Sequence, residues 1–336
     1  MLQITTADQR LQQRNKVNIA MLGPYGVGKT FQARTLSPDD TLFIDLEAGM
    51  LAVEGDVTLP DGTVMPSWRG DSINVMESAA ALQCHPWEFA RGIACLLRGY
   101  DPAAPEEDPY SLTWYNFYAE RLFDPEVFKK YTNVFIDSAT VASRMSLSWA
   151  KRQPEIISEK TGKQDGWALY GINGQELVTW FTNIQHISSK NVILSALLTE
   201  KKDKFDRITN EVQMEGSKAG NELPGIFDQV VTLGLFSHDP ATGTISYDPE
   251  KGKERAFVCH KDNGFGVPAK DRSGRLDLLE PPNLQALIEK TLASGTRAGA
   301  NLSMPQYQSV QDGTEPPSPA QAGFAQQPAQ QAVTQS

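Results

Sequence analysis

Cysteine is scarce: Cys84, Cys95 and Cys259 are the only three in 336 residues. They are too few and too scattered for a disulfide framework, which points to a reducing compartment and to ordinary core roles. Long apolar runs are also missing. None approaches the roughly 20 residues that cross a bilayer, and Met1 to Lys16 is polar and Gln-rich with no apolar stretch behind its charges. The expectation is a soluble chain that stays inside the cell that makes it. An excess of positive charge is lacking too, since 31 basic residues face 41 acidic ones for a net −10. A protein that coats itself indiscriminately in nucleic acid is therefore excluded, and any contact with a polyanion must be local.

Two basic stretches supply candidates for such contact. Arg144 to Lys163 holds five basic and two acidic residues, and Glu250 to Arg275 holds seven against four. With 40% hydrophobic and 21% charged side chains, the chain has the composition of a folded globular protein rather than a disordered or fibrous one.

Composition divides the chain into an N-terminal segment (1–16), a folded region (17–294) and a tail (295–336). The tail is rich in Gln, Ala, Pro and Ser and carries few large apolar side chains. Burying each would return about 1.5–3 kcal/mol, against about 1–2 kcal/mol to fix every residue's backbone. The tail is expected to be disordered alone, as a spacer or as a peptide that orders on a partner such as a single-strand-binding or replication protein.

In the folded region short β-branched runs alternate with helical stretches, the pattern of a mostly parallel sheet covered by helices. The expected strands are Val17–Leu22, Thr41–Leu46, Ile73–Val75, Asn133–Ile136, Asn191–Leu197, Gln229–Leu233 and Arg255–Cys259. The expected helices are Lys29–Leu36, Pro86–Leu97, Pro125–Lys130, Ser138–Arg152, Gln175–Ser188 and Asn283–Leu292. A long insertion, residues 53–132, opens on a hairpin closed at Asp61-Gly62, continues through a loop from Tyr100 to Tyr110, and has Trp68, Trp87 and Trp114 as its small core.

One motif carries chemistry. Gly23-Pro24-Tyr25-Gly26-Val27-Gly28-Lys29-Thr30 fits the Walker A pattern G-x-x-x-x-G-K-[ST] at every fixed position. An apolar strand runs into it and a helix-compatible run follows. Glycines let backbone N–H groups converge on phosphate oxygens, Lys29 reaches the β and γ phosphates, and Thr30 offers its hydroxyl to Mg²⁺. The ligand expected is ATP with Mg²⁺. The strand Asn133-Val-Phe-Ile-Asp137-Ser138 supplies the acidic residue such a site needs: Asp137 for the metal and Ser138 to sense the nucleotide. Glu47 is the candidate to orient or deprotonate the attacking water, with Asp45 as its competitor deeper in the sheet.

These residues resemble the RecA-type ATPase core. The resemblance implies that Glu47 is the catalytic carboxylate and that Asp137-Ser138 closes the metal-binding strand. Lys270-Asp-Arg272 resembles the Lys-x-Arg element with which RadA-like and hexameric-helicase cores reach the γ-phosphate of a neighbouring subunit, which implies a homo-oligomeric ring or filament. The combination of Asp45-x-Glu47-x-Gly49, Leu223-Pro-Gly-Ile-Phe-Asp228 and Lys270/Arg272 is most similar to compact RecA-like proteins of bacteriophages, some of which are single-strand annealing or recombination ATPases. That likeness implies single-stranded DNA as a partner and the host cytoplasm as location. Its DNA-facing loops would be Lys151–Gly166 and Glu200–Asn221, with Phe205 able to stack on a base. The strand ending Leu198-Thr199 departs from the pattern, since relatives usually carry Gln or His there. A P-loop small-molecule kinase and a nucleotide-gated scaffold with little turnover are the competing functions. Cys84-His85 and Cys259-His260 would make a zinc site only if they met in space.

Overall fold

In the computed structural model the described residues are 6, 16–59, 62–158, 160–202, 208–239 and 241–293. The expected tail, most of the N-terminal segment, Asp61 and Phe205 lie outside them. In chain order the strands are β1 (Asn18–Gly23), β2 (Thr41–Asp45), β3 (Val57–Thr58), β4 (Val64–Met65), β5 (Asp71–Asn74), β6 (Asn133–Asp137), β7 (Asn191–Lys202), β8 (Ile208–Val212), β9 (Gln229–His238), β10 (Ile245–Tyr247), β11 (Glu254–Val258), β12 (Lys270–Asp271) and β13 (Leu279–Glu280). The α-helices are α1 (Val75–Ala81), α2 (Pro86–Arg98), α3 (Leu112–Arg121), α4 (Ala139–Ala150), α5 (Gly166–Gln185), α6 (Ser217–Ile226) and α7 (Leu284–Leu292).

Among the described residues eleven strands form one sheet, with the central order β13-β11-β9-β1-β7-β6-β2-β5. The run from β9 through β5 is parallel, while β11 and β13 close the far edge antiparallel. This is the mostly parallel α/β architecture, covered by helices, that the sequence pattern predicts.

The parallel strands are buried on both faces, which is why they read as continuous apolar runs. Their side chains alternate between two cores. Ala20, Leu22, Leu42, Ile44, Val134, Ile136, Val192 and Leu194 face one core, shared with Trp87, Phe89, Leu177 and Phe181 from α2 and α5. Ile19, Met21, Phe43, Phe135, Ile193 and Val231 face the other, shared with Leu284, Leu287 and Ile288 of α7.

Several local expectations are corrected. The run after Lys29 is a 3₁₀-helix, Thr30–Thr35, rather than an α-helix, and Pro125–Lys130 is also 3₁₀. Helix α5 starts at Gly166 instead of Gln175, capped by the Asp165 carboxylate on the N–H groups of Trp167 and Ala168. Three helices were not anticipated: α1, α3 and α6. The last contains Pro224 and is held by burial of Ala219 and Leu223. The insertion does open on the β3–β4 hairpin, but its tryptophans make no common core. Trp68 packs against Phe43 with ring centroids 6.0 Å apart, Trp87 is buried against Trp180, and Trp114 is exposed. Cys84 packs into one core and Cys259 into the other, on opposite faces of the sheet, so the two Cys-His pairs do not meet.

Candidate nucleotide site

Strand β1 is buried along its whole length and delivers Gly23 to the loop at its C-terminal end. A Cβ at Gly23 would stand 2.7 Å from the backbone carbonyl oxygen of Leu233 on β9, so no side chain fits. Gly28 has a φ of +99°, a conformation L side chains rarely adopt. Sequence and geometry thus agree on why these positions are glycine.

Lys29 is buried, and its Nζ donates to the carbonyls of Gly23 at 3.1 Å and Pro24 at 2.8 Å. Burial pulls its pKa down to about 8, against the opposing pull of the Asp137 and Glu47 charges.

The next residues meet because of strand register. Asp45 of β2 stands opposite Asp137 of β6. On the other side, the β6–β7 register pairs Ile136 with Leu194, which brings Ser195 beside Asp137. Thr30 Oγ1 donates to Asp137 Oδ2 at 2.5 Å, and the Ser195 hydroxyl donates to Oδ1. Burial raises the Asp137 pKa, the Glu47 charge adds to that, and the two hydroxyls and Lys29 pull it the other way.

Glu47 is exposed just past the end of β2. Its carboxylate accepts a hydrogen bond from the Ser138 hydroxyl, which also accepts the N–H of Val141 as N-cap of α4. The position of Glu47 is set from behind by Asp45, whose Oδ1 accepts the N–H groups of Glu47 and Gly49, each at 3.1 Å. Asp45 is therefore the buried support of the Glu47 loop rather than a rival for its place. A Cβ on Gly49 would lie 3.4 Å from Asp137 Oδ2 and 3.6 Å from Thr30 Cγ2, so the glycine leaves room beside the hydroxyl–carboxylate pair.

The donor set fits a hard cation. No cluster of three His, Cys, Asp or Glu side chains able to hold a metal occurs among the described residues. A cation at Thr30 and Asp137 would complete its shell with nucleotide oxygens and water, the usual way for Mg²⁺. A phosphate-cradling loop, a buried lysine, a hydroxyl–carboxylate pair and an exposed carboxylate are together the groups that a metal–nucleotide site requires. The family model for the AAA domain, AAA_24, matches residues 15–273, which contain every one of these groups. The chain belongs to the AAA domain family.

As a member of that family it is a P-loop ATPase, in agreement with its fold. No curated protein matches the chain. Among solved structures, one described as a prototypical ATPase from the type III secretion system of pathogenic bacteria is 12% identical, with a TM-score of 0.30 over 72% of this chain and 59% of that one. The chain thus spans less than two thirds of that protein. A second structure, described as an ATPase domain, is also 12% identical, with a TM-score of 0.27 over 77% of this chain and 85% of that domain. Likenesses this slight add nothing to the family assignment, which rests on the matched model.

Lys270 and Arg272 are not brought to this site. The register places Lys270 beside Val230, and Val230 beside Ala20, below the loop that begins after Gly23. Lys270 Nζ donates to the carbonyls of Pro224 and Phe227, each at 2.7 Å, and Arg272 pairs with Asp228 at 2.7 Å.

Sequence reasoning missed three other groups. Ser195 becomes visible only through register. Arg34, on the 3₁₀-helix after the loop, donates to the carbonyls of Ala52, Pro66, Glu54 and Gly55 and so ties the start of the insertion to the site. Arg255 of β11 donates from Nε to the Val27 carbonyl at 2.9 Å. Arg255 lies in the basic stretch Glu250 to Arg275, but nothing in the sequence singles it out, because it comes from a strand remote in the chain.

Proposed function

We propose that this P-loop ATPase hydrolyses Mg²⁺–ATP with Glu47 activating the water, and that its turnover is coupled to single-stranded DNA in recombination, annealing or replication of the phage type. The observation that carries the catalytic part is the convergence of Lys29, Thr30, Asp137 and Glu47 at the ends of β1, β2 and β6. In this reading the backbone of Gly23, Pro24, Tyr25, Gly26, Val27 and Gly28 cradles the phosphates and Lys29 binds the β and γ groups. Thr30 and Asp137 would hold Mg²⁺, which supplies charge neutralisation when bound. Ser138 keeps Glu47 aimed.

The DNA part draws support from the surface after α4. Lys151, Arg152, Lys160 and Lys163 are exposed there, and the segment leads directly into Trp167, 92% exposed, and Tyr170, 50% exposed. Three apart on α5, the two rings share one helix face. Cations beside bare aromatic rings are what a single strand needs for phosphate contact and base stacking. The second loop offers less, since Lys201 is paired with Glu211 and Lys218 donates to Gln175.

Lys270 and Arg272 lie too far down the sheet to serve their own loop, which supports a role toward a neighbour's γ-phosphate in a homo-oligomer. Arg272 would then exchange Asp228 for phosphate. The tail, which lies outside the described residues, would serve as the contact for a single-strand-binding or replication protein.

The test is steady-state ATP hydrolysis by the wild-type chain and Glu47→Gln, with and without a single-stranded oligonucleotide. Stimulation by DNA and a loss of about 10²–10⁴-fold in the variant, with ADP affinity retained, is the expected result. An unchanged rate in Glu47→Gln would overturn the catalytic assignment. Absence of both stimulation and oligonucleotide binding at low salt would overturn the DNA assignment.

A further inference from the structure

We propose that Arg255 is a nucleotide-binding residue of its own chain, a cation that grips the α-phosphate at the nucleoside end of ATP without help from any neighbouring subunit.

The direction in which a triphosphate must lie is set by the groups already described. Thr30, Asp137 and Glu47 stand on the β6 and β2 side of β1 and claim the γ end, an orientation that rests on the reading of the site given above. The nucleoside end then runs the other way, toward β9 and β11. Arg255 occupies that side. It pairs in register with Leu235 of β9, and β9 is the strand whose Leu233 carbonyl crowds Gly23.

Its guanidinium is anchored and only partly used. Nε donates to the Val27 carbonyl at 2.9 Å, and a Cβ on Gly28 would lie 3.6 Å from that same Nε. One bond on Nε fixes the plane of the fork. The terminal nitrogens have no partner among the described residues, and the side chain is exposed. They are therefore presented beside Gly28, whose neighbouring backbone N–H groups cradle the α and β phosphates in loops of this type. An arginine fork with its terminal donors unspent is the side chain best suited to phosphate. Lys29 does not compete for this place, because the loop directs it to the β and γ groups.

Pinning the loop through Val27 is the alternative role for this side chain, and the two roles leave different signatures. A contact to the α-phosphate is made equally with ATP and ADP and in the ground state as much as in the transition state, so its loss appears in KM rather than kcat. A misplaced loop would disturb Lys29 and Thr30 and appear in kcat.

The experiment compares Arg255→Ala, Arg255→Gln and Arg255→Lys with the wild-type chain, using fluorescent ADP and ATP analogues, competition by AMP and by adenosine, and steady-state hydrolysis. Arg255→Ala is expected to weaken ADP and ATP alike by about tenfold to a hundredfold, the range for one charge-assisted hydrogen bond. AMP should compete less well against the variant, whereas adenosine competes as it does in the wild type. Arg255→Gln keeps a donor for Val27 without the charge and should bind as weakly as Arg255→Ala, while Arg255→Lys recovers part of the loss. Unchanged affinities, a loss confined to ATP, wild-type binding by Arg255→Gln, or a fall in kcat at constant affinity would each overturn the proposal. Should Glu47→Gln retain full activity, the catalytic assignment fails while the binding signature of Arg255 can still be read, so the two failures are distinguishable.

Discussion

Asp45 Oδ1 accepts the backbone N–H of Glu47 at 3.1 Å, two residues along the chain, and so folds the end of β2 into the turn that presents the Glu47 carboxylate. The same oxygen takes the N–H of Gly49, closing the turn. Asp45 is buried and Glu47 exposed, a division between support and working group that neither residue type announces.

Asp45→Ala should therefore lower kcat by about 10- to 100-fold, the cost of a reacting group displaced by about an ångström, with ADP affinity changed much less. Asp45→Asn retains an oxygen acceptor in the same place and should retain most of the activity. Steady-state kinetics on the pair would refute the idea if the two variants behaved alike.

Lys29 gives a pH signature. In the free protein its pKa is lowered to about 8 by burial, and the negative charge of a bound nucleotide must raise it. Below that pKa the amine is charged in both states and affinity is flat. As pH rises through it, the free form loses its proton first, so affinity falls and binding takes up a proton. Calorimetry of ADP binding in EDTA, at about pH 8.5 to 9 in two buffers of different ionisation enthalpy, should report that uptake. Lys29→Met should abolish it.

Asp137 is a buried carboxylate whose pKa is raised chiefly by desolvation. Asp137→Asn has the same shape and relieves that cost, so the nucleotide-free protein should melt no earlier than wild type. The gain in ATP affinity that Mg²⁺ brings should nevertheless disappear. Melting curves and ATP titrations in Mg²⁺ and in EDTA check the two halves separately.

Arg34 ties the Ala52 carbonyl and three carbonyls of the early insertion to the helix behind the phosphate loop. Arg34→Ala should cost about 1.5–3 kcal/mol in denaturant unfolding. Arg34→Lys should rescue little, because a point charge cannot span four acceptors. A full rescue would show that charge alone matters.

Arg272→Ala should cut hydrolysis while sparing ADP binding. Mixed with Glu47→Gln, it should recover part of the turnover through sites that pair one chain's Glu47 with another's Arg272. Titrating the two variants against each other tests this, and no recovery at any ratio would argue that each chain works alone.

The parallel strands were legible because a strand covered on both faces is apolar at nearly every position, as in Ile19 to Leu22 and Val134 to Ile136. The first turns of α5 were not, since Trp167 and Tyr170 face solvent and leave no apolar stripe; Asp165 was the available signal, as a helix N-cap. Helix α6 runs against local propensity at Gly220 and Pro224 and persists because Leu223 is buried.

The chain's order of residues determined the phosphate loop, its lysine and the two acidic strand ends, because those depend on local backbone geometry and on residue type at fixed spacing. Register decided the rest. Ser195 beside Asp137 and Arg255 against Val27 join segments far apart in sequence, and only the folded sheet brings those atoms within bonding distance; burial of the β2 end then decides that Asp45, two residues from Glu47, turns inward to hold the turn.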